Sequence, residues 1–185
     1  DLFSIGPFTV HGYGLMIAIG VLSAYYMVEY RAKKKQMDWE KVFPLTVWSV
    51  LGGFLGSKIL YLLTRLPDIL ANPALLGSSI KDGFVVYGGI IGGILTAWIY
   101  CKCTKWNFWK IFDIAMPAVA MAQGFGRIGC LLAGCCYGIE LDPANPIGIV
   151  FHNSAYAPND VALLPTQIIS SVLDFANCFV LLALS

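Results

Sequence analysis

Five apolar runs, each close to the length of a membrane-spanning helix, constrain this chain more than any other feature. Crossing a bilayer takes about 20 mostly apolar residues in a helix. The runs cover residues 13–29, 43–64, 84–101, 111–135 and 165–185. They are apolar on all sides, whereas the strands of a membrane β-barrel alternate. The sequence therefore predicts an all-α fold, a polytopic transmembrane helical bundle with about five spans.

Composition excludes several other classes of protein. The chain has 185 residues, of which 58% are hydrophobic and 12% charged, against about 25% charged residues in soluble domains. Too little polar surface is left to coat a soluble globule. The net charge of +1 gives no field that would attract nucleic acid, so no nucleic-acid partner is predicted. The length favours one transmembrane domain over residues 1–185.

Basic residues predict the orientation of the spans. Two alternate connections hold eight of them, and the other connections hold only Arg65 and Lys81. The eight are Arg31, Lys33, Lys34, Lys35, Lys41, Lys102, Lys105 and Lys110. Because cytoplasmic loops are enriched in Lys and Arg, the N-terminus, segment 65–83 and segment 137–164 are predicted outside.

The ends of the sequence support two further expectations. Residues 1–10 carry no Lys or Arg, and a basic cluster follows the first apolar run. This order is typical of a retained anchor and not of a cleaved signal peptide. The sequence starts without Met and stops within an apolar run, so we expect it to be trimmed at both ends, with further spans after Ser185.

Small residues recur four positions apart within the runs. The pairs are Gly52 and Gly56, Gly88 and Gly92, Gly89 and Gly93, and Ala118 and Ala122. This spacing lets membrane helices approach closely. It predicts a tightly packed bundle and carries no information on chemistry.

Two cations, Arg127 and Lys58, lie inside predicted spans. Charges there are costly and indicate function by default, although a long side chain can also extend to the headgroups. For Lys58 both interpretations stay open. Arg127 has Gly124, Gly126 and Gly129 as close neighbours in the sequence. Its planar guanidinium can donate two parallel hydrogen bonds to the oxygens of one phosphate. We therefore predict that Arg127 binds a lipid phosphate.

Three cysteines follow Arg127 in a Cys-x4-Cys-Cys arrangement, namely Cys130, Cys135 and Cys136. Zinc sites usually use two C-x(2–4)-C pairs or add histidines, and the chain offers only His11 and His152. No metal and no cofactor are predicted. A disulfide between Cys130 and Cys136, an inert buried role, and a thiolate of low pKa beside Arg127 all stay open.

Further polar residues fall near the predicted outer surface. They are His11, Tyr13, Tyr87, Gln123 and Gln167. Interfacial tyrosines are often aromatic-belt residues. Tyr13 and Tyr87 have glycine neighbours that let a ligand approach the backbone. These residues are predicted to lie at one depth in the membrane, near its outer surface, where phospholipid headgroups lie.

The ordered motifs resemble one known family. Tyr13-Gly-Leu-Met, Gly56-Ser-Lys-Ile-Leu-Tyr, Tyr87-Gly-Gly-Ile-Ile-Gly, Gly126-Arg-Ile-Gly-Cys and Pro165-Thr-Gln are together similar to the phosphatidylglycerol–prolipoprotein diacylglyceryl transferase family. The resemblance covers residues 11–167. It implies a multi-span enzyme of the bacterial plasma (inner) membrane, with its active site toward the outer leaflet. Such an enzyme transfers diacylglyceryl from phosphatidylglycerol to the lipobox cysteine of a prolipoprotein signal peptide and releases glycerol phosphate.

The resemblance also implies roles for individual residues. Arg127 matches the family's central arginine and Tyr13 its essential tyrosine. We predict Arg127, Tyr13, Tyr87 and His11 as catalytic residues, with His11 as a candidate for a replacement base. Substrate contacts are implied for Lys58, Gln123, Gly126, Cys130, Cys135, Gly138 and Gln167.

This chain departs from the family pattern at several of these positions. Tyr87 stands where the family has a histidine, Cys130 replaces an asparagine, Cys135 an acidic residue, and Lys58 an arginine. Leu163 and Leu164 stand where an arginine normally precedes the late motif. Two other functions stay open: a non-catalytic lipid-binding membrane protein that kept the cavity and lost the base, and a thiol-redox membrane protein that uses Cys130, Cys135 and Cys136.

Overall fold

A computed structural model describes residues 3–5, 8–72 and 83–185, so Lys81 lies outside the described residues. The helices are α1 (Gly12–Lys34), α2 (Val42–Thr64), α3 (Leu66–Ala71), α4 (Val86–Cys103), α5 (Phe108–Ala133) and α6 (Thr166–Leu184). A short 3-10 helix, Trp39–Lys41, precedes α2. The strands are β1 (Phe3–Ile5), β2 (Phe8–Val10), β3 (Ile149–Val150) and β4 (Ala162–Leu163).

Five of the helices are long and apolar enough to cross a membrane, which confirms the predicted helical bundle. The observed boundaries differ from the predicted ones at most helix ends, and two of these differences have a local cause. Helix α1 continues to Lys34, five residues beyond the predicted end, because Lys and Arg are good helix formers outside an apolar run as well. Helix α5 stops at Ala133, two residues before the predicted end near Cys135, because Gly134 takes a left-handed conformation, with φ of 68°.

The large apolar side chains on the spans are widely exposed. On α2, for example, Phe54 is 61% exposed, Leu55 60% and Ile59 57%. Water would make this surface costly, at roughly 25 cal/mol per Å², whereas lipid tails would cover it at no such cost. The exposure therefore fits a multi-pass membrane protein.

Residues 32–112 form one of two compact units. Within it, α2 and α4 pack through glycines: a Cβ on Gly56 would meet the carbonyl oxygen of Gly88, and one on Gly92 would meet the carbonyl oxygen of Gly52. This contact confirms the close helix packing that the spacing of the small residues predicted. At the other end of the two helices, Leu45, Cys101 and Ile111 are buried together.

The second unit comprises residues 1–31 and 113–185. Strands β1 and β2 pair antiparallel, as do β3 and β4. Helix α1 approaches α5 where Gly20 faces Ala122. Helix α6 packs on α5 through a hydrogen bond from Ser171 Oγ to the Gly124 carbonyl (3.0 Å) and through the rings of Phe125 and Phe175. The predictions of a single domain over 1–185 and of an outward N-terminus stay predictions.

Candidate functional site

The chain reverses direction immediately after α5. Gly134 and Cys136 both have left-handed φ angles, 68° and 58°, and the Cys135 N–H donates to the Cys130 carbonyl at 3.0 Å. A positive φ is uncommon for a residue other than glycine, so Cys136 holds an unfavourable conformation. The reversal returns Cys135 and Cys136 to the last turn of α5. As a result the Sγ atoms of Cys130, Cys135 and Cys136 all lie within 4.8 Å of one another.

The first turn of α6 holds this reversal in place. Thr166 Oγ1 donates to the Cys136 carbonyl and Gln167 Nε2 to the Cys135 carbonyl, both at 2.8 Å. Gln167 is only 1% exposed, and its Oε1 finds no hydrogen-bond donor among the described residues. The side chains of the Pro165-Thr-Gln motif thus hydrogen-bond to the backbone of the cysteine segment that follows Arg127.

Gly138 completes the same contact. Its N–H donates to the Leu164 carbonyl at 3.0 Å. A Cβ at this position would lie 2.8 Å from the Thr166 side chain and 2.9 Å from Leu164, which is closer than real Cβ atoms approach. Glycine is required because the two backbone segments touch. The structure therefore brings Gly138, Gln167 and Cys135 together, as a shared site would need.

Tyr13 lies beside the same cluster. Its ring carbon Cδ2 would be 3.2 Å from a Cβ on Gly129, so the ring packs on α5 one residue before Cys130. The phenol is within electrostatic range of all three thiols and 44% exposed. His11 precedes α1 and is exposed, and its carbonyl accepts the Leu15 N–H at 3.1 Å.

Arg127 is half-buried in α5 and has a charged neighbour on α6. Asp174 lies within electrostatic range of it, and Asp174 Oδ2 is buried with no hydrogen-bond partner in the described part of the chain. One turn before Arg127, Gln123 is exposed. Next to Arg127, no described atom outside the local backbone lies within 4 Å of a Cβ built on Gly126, so this side of α5 is open.

Sequence reasoning missed Asp174. Arg127 and Asp174 lie in different spans, 47 residues apart along the chain. A signal was available, because Asp174 is the one charged residue in the run 165–185. A lone carboxylate inside a membrane span marks a partner or a site by default.

The structure contradicts the idea of an activated thiolate at Cys135. Burial raises the pKa of the Cys135 thiol above its ordinary value, and its hydrogen bond with the Cys136 thiol raises it further. Both causes disfavour the charged form. Cys135 is therefore a protonated thiol at neutral pH.

Alkylation of Cys135 tests this directly. The thiolate is the reacting form, so we expect iodoacetamide to label Cys135 slowly at pH 7 and faster as the pH rises. The rate should still be climbing where an ordinary thiol, with a pKa near 8.5, has levelled off. Site-resolved mass spectrometry measures it, with the exposed Cys103 as internal reference. Rapid labelling of Cys135 at pH 7 would contradict the assignment.

Lys58 and Tyr87 belong to the unit of residues 32–112. Lys58 Nζ donates to the Gly83 carbonyl at 3.1 Å and lies 4.6 Å from the centre of the Phe84 ring, so it supports the segment that leads into α4. Tyr87 is 75% exposed in the first turn of α4. Their predicted roles at the site of Arg127 stay predictions.

Comparison with known proteins settles the family. The family model for prolipoprotein diacylglyceryl transferase matches residues 1–185. The chain belongs to this family. It is similar to a phosphatidylglycerol–prolipoprotein diacylglyceryl transferase of Clostridium tetani (strain Massachusetts / E88), with 44% identity over 182 residues, 98% of this chain and 72% of the relative.

More distant relatives agree. The transferase 2 of Clostridium perfringens (strain 13 / Type A) is 43% identical over 167 residues, 90% of this chain and 64% of the relative. The enzyme of Salmonella arizonae is 37% identical over 169 residues, 90% of this chain and 57% of that relative. The chain thus spans between about half and three quarters of the length of these proteins. The predicted resemblance to a transferase family of lipoprotein biosynthesis is confirmed.

Proposed function

We propose that this chain transfers the diacylglyceryl group of phosphatidylglycerol to the lipobox cysteine thiol of a prolipoprotein signal peptide and releases glycerol phosphate. The observation that carries the proposal is Arg127 in a spanning helix, with an open side at Gly126. A guanidinium at that depth needs an anionic partner. The relatives similar in sequence are named for this donor and for a prolipoprotein acceptor.

Arg127 binds the phosphodiester of the donor. Its planar guanidinium can donate two parallel hydrogen bonds to phosphate oxygens, and its charge stabilises the negative charge that grows on the leaving group. Asp174 lies within electrostatic range of Arg127 and balances its charge while the lipid is absent. Gln123 and Gly126 contribute to the lipid-binding surface beside Arg127, and Lys58 is proposed as a substrate contact from the family resemblance alone.

The acceptor thiol is the nucleophile. A base removes the S–H proton, and the thiolate attacks the glycerol carbon that carries the phosphate. The new C–S bond replaces the C–O bond, whose electron pair leaves with glycerol phosphate. Tyr13, Tyr87 and His11 are the groups proposed to orient the phosphate or to accept the proton. Gly138, Gln167, Cys130 and Cys135 form the wall that positions the acceptor.

The proposed setting is the bacterial plasma (inner) membrane, with the site toward the outer leaflet and the spans forming one domain. The charge bias of the connections supports this orientation. Phosphatidylglycerol then enters from the bilayer, since donor and acceptor are both membrane-held.

A transfer assay tests the proposal. The protein is reconstituted in proteoliposomes containing phosphatidylglycerol labelled in its diacylglyceryl part, together with a lipobox peptide. We expect label on the peptide, and none on a matched peptide with serine in place of the lipobox cysteine. Lipid binding without transfer would instead favour the non-catalytic lipid-binding protein. Thiol exchange without lipid binding would favour the redox protein.

Replacing Tyr87 by phenylalanine separates chemistry from packing. The change removes only a hydroxyl from an exposed ring, so we expect little loss of stability and about a 10²-fold loss of transfer rate if the phenol moves a proton. Tyr26, exposed on α1, gives the matched control Tyr26→Phe. Equal rates for Tyr87→Phe and the unchanged chain would leave Tyr87 a packing residue.

A further inference from the structure

The proposed transfer places Cys130 and Cys135 in the wall beside the acceptor, but it does not require three thiols gathered at one point. Cys130, Cys135 and Cys136 come from two sides of one chain reversal, and their Sγ atoms all lie within 4.8 Å of one another. In a tetrahedral site with Zn–S bonds of about 2.3 Å, sulfur atoms lie about 3.8 Å apart. A contraction of at most about 1 Å per pair would therefore enclose an ion.

The cluster is held by its backbone and not by the thiols alone. The carbonyls of Cys135 and Cys136 each accept a hydrogen bond from the first turn of α6, and the Cys135 N–H bonds to the Cys130 carbonyl. The left-handed φ of Cys136 is an unfavourable conformation kept by these contacts. A ligand that used the three thiols would find them already gathered, so little ordering entropy would oppose binding.

Access and ligand chemistry fit a small soft cation. Cys136 is exposed, while Cys130 and Cys135 are half-buried, so an ion can enter from the side of Cys136. Thiolates select d10 cations such as Zn²⁺, Cu⁺ and Cd²⁺ over hard oxygen-seeking ions. Three thiolates and one divalent ion leave a fourth coordination position, which water can fill.

We propose that Cys130, Cys135 and Cys136 form a binding site for one thiophilic d10 cation, of the class of Zn²⁺, that ties the end of α5 to the reversal behind it. Each thiol gives up its proton to solvent on binding, so three protons leave for each divalent ion bound. The sequence did not predict a metal, because a Cys-x4-Cys-Cys spacing does not match the usual zinc patterns. The chain reversal at the left-handed residues Gly134 and Cys136 brings the three sulfur atoms together in spite of that spacing.

Cadmium titration tests the site on the full chain, independently of transfer. The protein is reduced, freed of metal with a chelator and titrated with Cd²⁺ in detergent. We expect the ultraviolet thiolate-to-cadmium absorption to saturate at one ion per chain, and Zn²⁺ to abolish it by competition. Absence of a saturable band would overturn the proposal, whether or not the protein transfers lipid.

Cysteine variants locate the ion. Cys136→Ser changes an exposed side chain by one atom, so folding should persist while the affinity for Cd²⁺ falls at least about 10-fold. Cys130→Ser/Cys135→Ser should lose the band completely. Cys103→Ser, an exposed thiol of the other unit, is the matched control and should bind as the unchanged chain does. A band that survives in Cys130→Ser/Cys135→Ser would overturn the proposal.

A disulfide is the competing fate of the same thiols. Protein isolated without reductant and then denatured should present all six cysteines of the chain to a thiol reagent. Four reactive thiols, with Cys130 joined to Cys135 or Cys136, would overturn the proposal in favour of a redox pair.

Discussion

Replacing Arg127 by alanine is expected to lower the rate of diacylglyceryl transfer by about 10²–10³-fold, the usual effect of removing a group that stabilises transition-state charge. The guanidinium is proposed to hold the phosphodiester and to stabilise the glycerol phosphate that leaves. Arg127→Lys keeps the charge and loses the planar fork, so an intermediate rate is expected. Transfer of the label from phosphatidylglycerol to the lipobox peptide measures all three chains.

Asp174 complicates the simple alanine change. Removing Arg127 would leave the half-buried Asp174 carboxylate without the cation in its electrostatic range, and an uncompensated charge disfavours the folded state. The double variant Arg127→Gln/Asp174→Asn removes both charges and should stay folded, and it should still lack transfer. This separates lost chemistry from lost folding.

Arg65→Ala is the matched control for Arg127→Ala. Arg65 is an exposed arginine, and it pairs with Asp68 at 3.3 Å, a surface pair worth at most about 1 kcal/mol. Its removal should leave the transfer rate unchanged. Full activity in the folded double variant would exclude Arg127 from the mechanism.

The helices were predictable because the bilayer imposes its own length on the sequence. Apolar runs of about 20 residues must satisfy their backbone internally, which leaves a helix as the only structure for each run. The helix ends were less predictable, because hydropathy carries no information on the backbone conformation of Gly134. Its left-handed φ ends α5 at Ala133, and a glycine in an apolar run equally suits a close helix contact.

Contacts across helices were the part that one sequence could not give. The role of Gln167 depends on the Cys135 carbonyl, 32 residues earlier, and that of Asp174 depends on Arg127. Spacing within one helix predicts neighbours three and four positions apart and predicts nothing about which helix lies alongside. The cysteine cluster was unpredictable for a similar reason. Its sulfur atoms lie close together because of the left-handed conformations of two residues, which the spacing of the cysteines does not indicate.

Gly56→Leu is expected to separate α2 from α4 and to destabilise the protein by about 3 kcal/mol or more, through overpacking. A Cβ on Gly56 would meet the Gly88 carbonyl oxygen and would lie 2.9 Å from Gly92 Cα. Both obstacles are backbone, so rotation of a side chain cannot relieve them. The helices must move apart, and the other close contacts along the same seam are lost with them.

The milder variant Gly56→Ala shows whether helix packing or helix propensity dominates at this position, because the two predict opposite changes in melting temperature. Helix propensity alone predicts that alanine is stabilising by about 1 kcal/mol, whereas the clash with Gly88 predicts a lower melting temperature. Gly14→Ala is the matched control, since no described atom beyond the local backbone lies within 4 Å of a Cβ at Gly14; it should melt at or above the temperature of the unchanged chain. Thermal unfolding in detergent measures each variant. A melting temperature raised by Gly56→Ala would mean that the glycines are not the reason why these two helices lie so close.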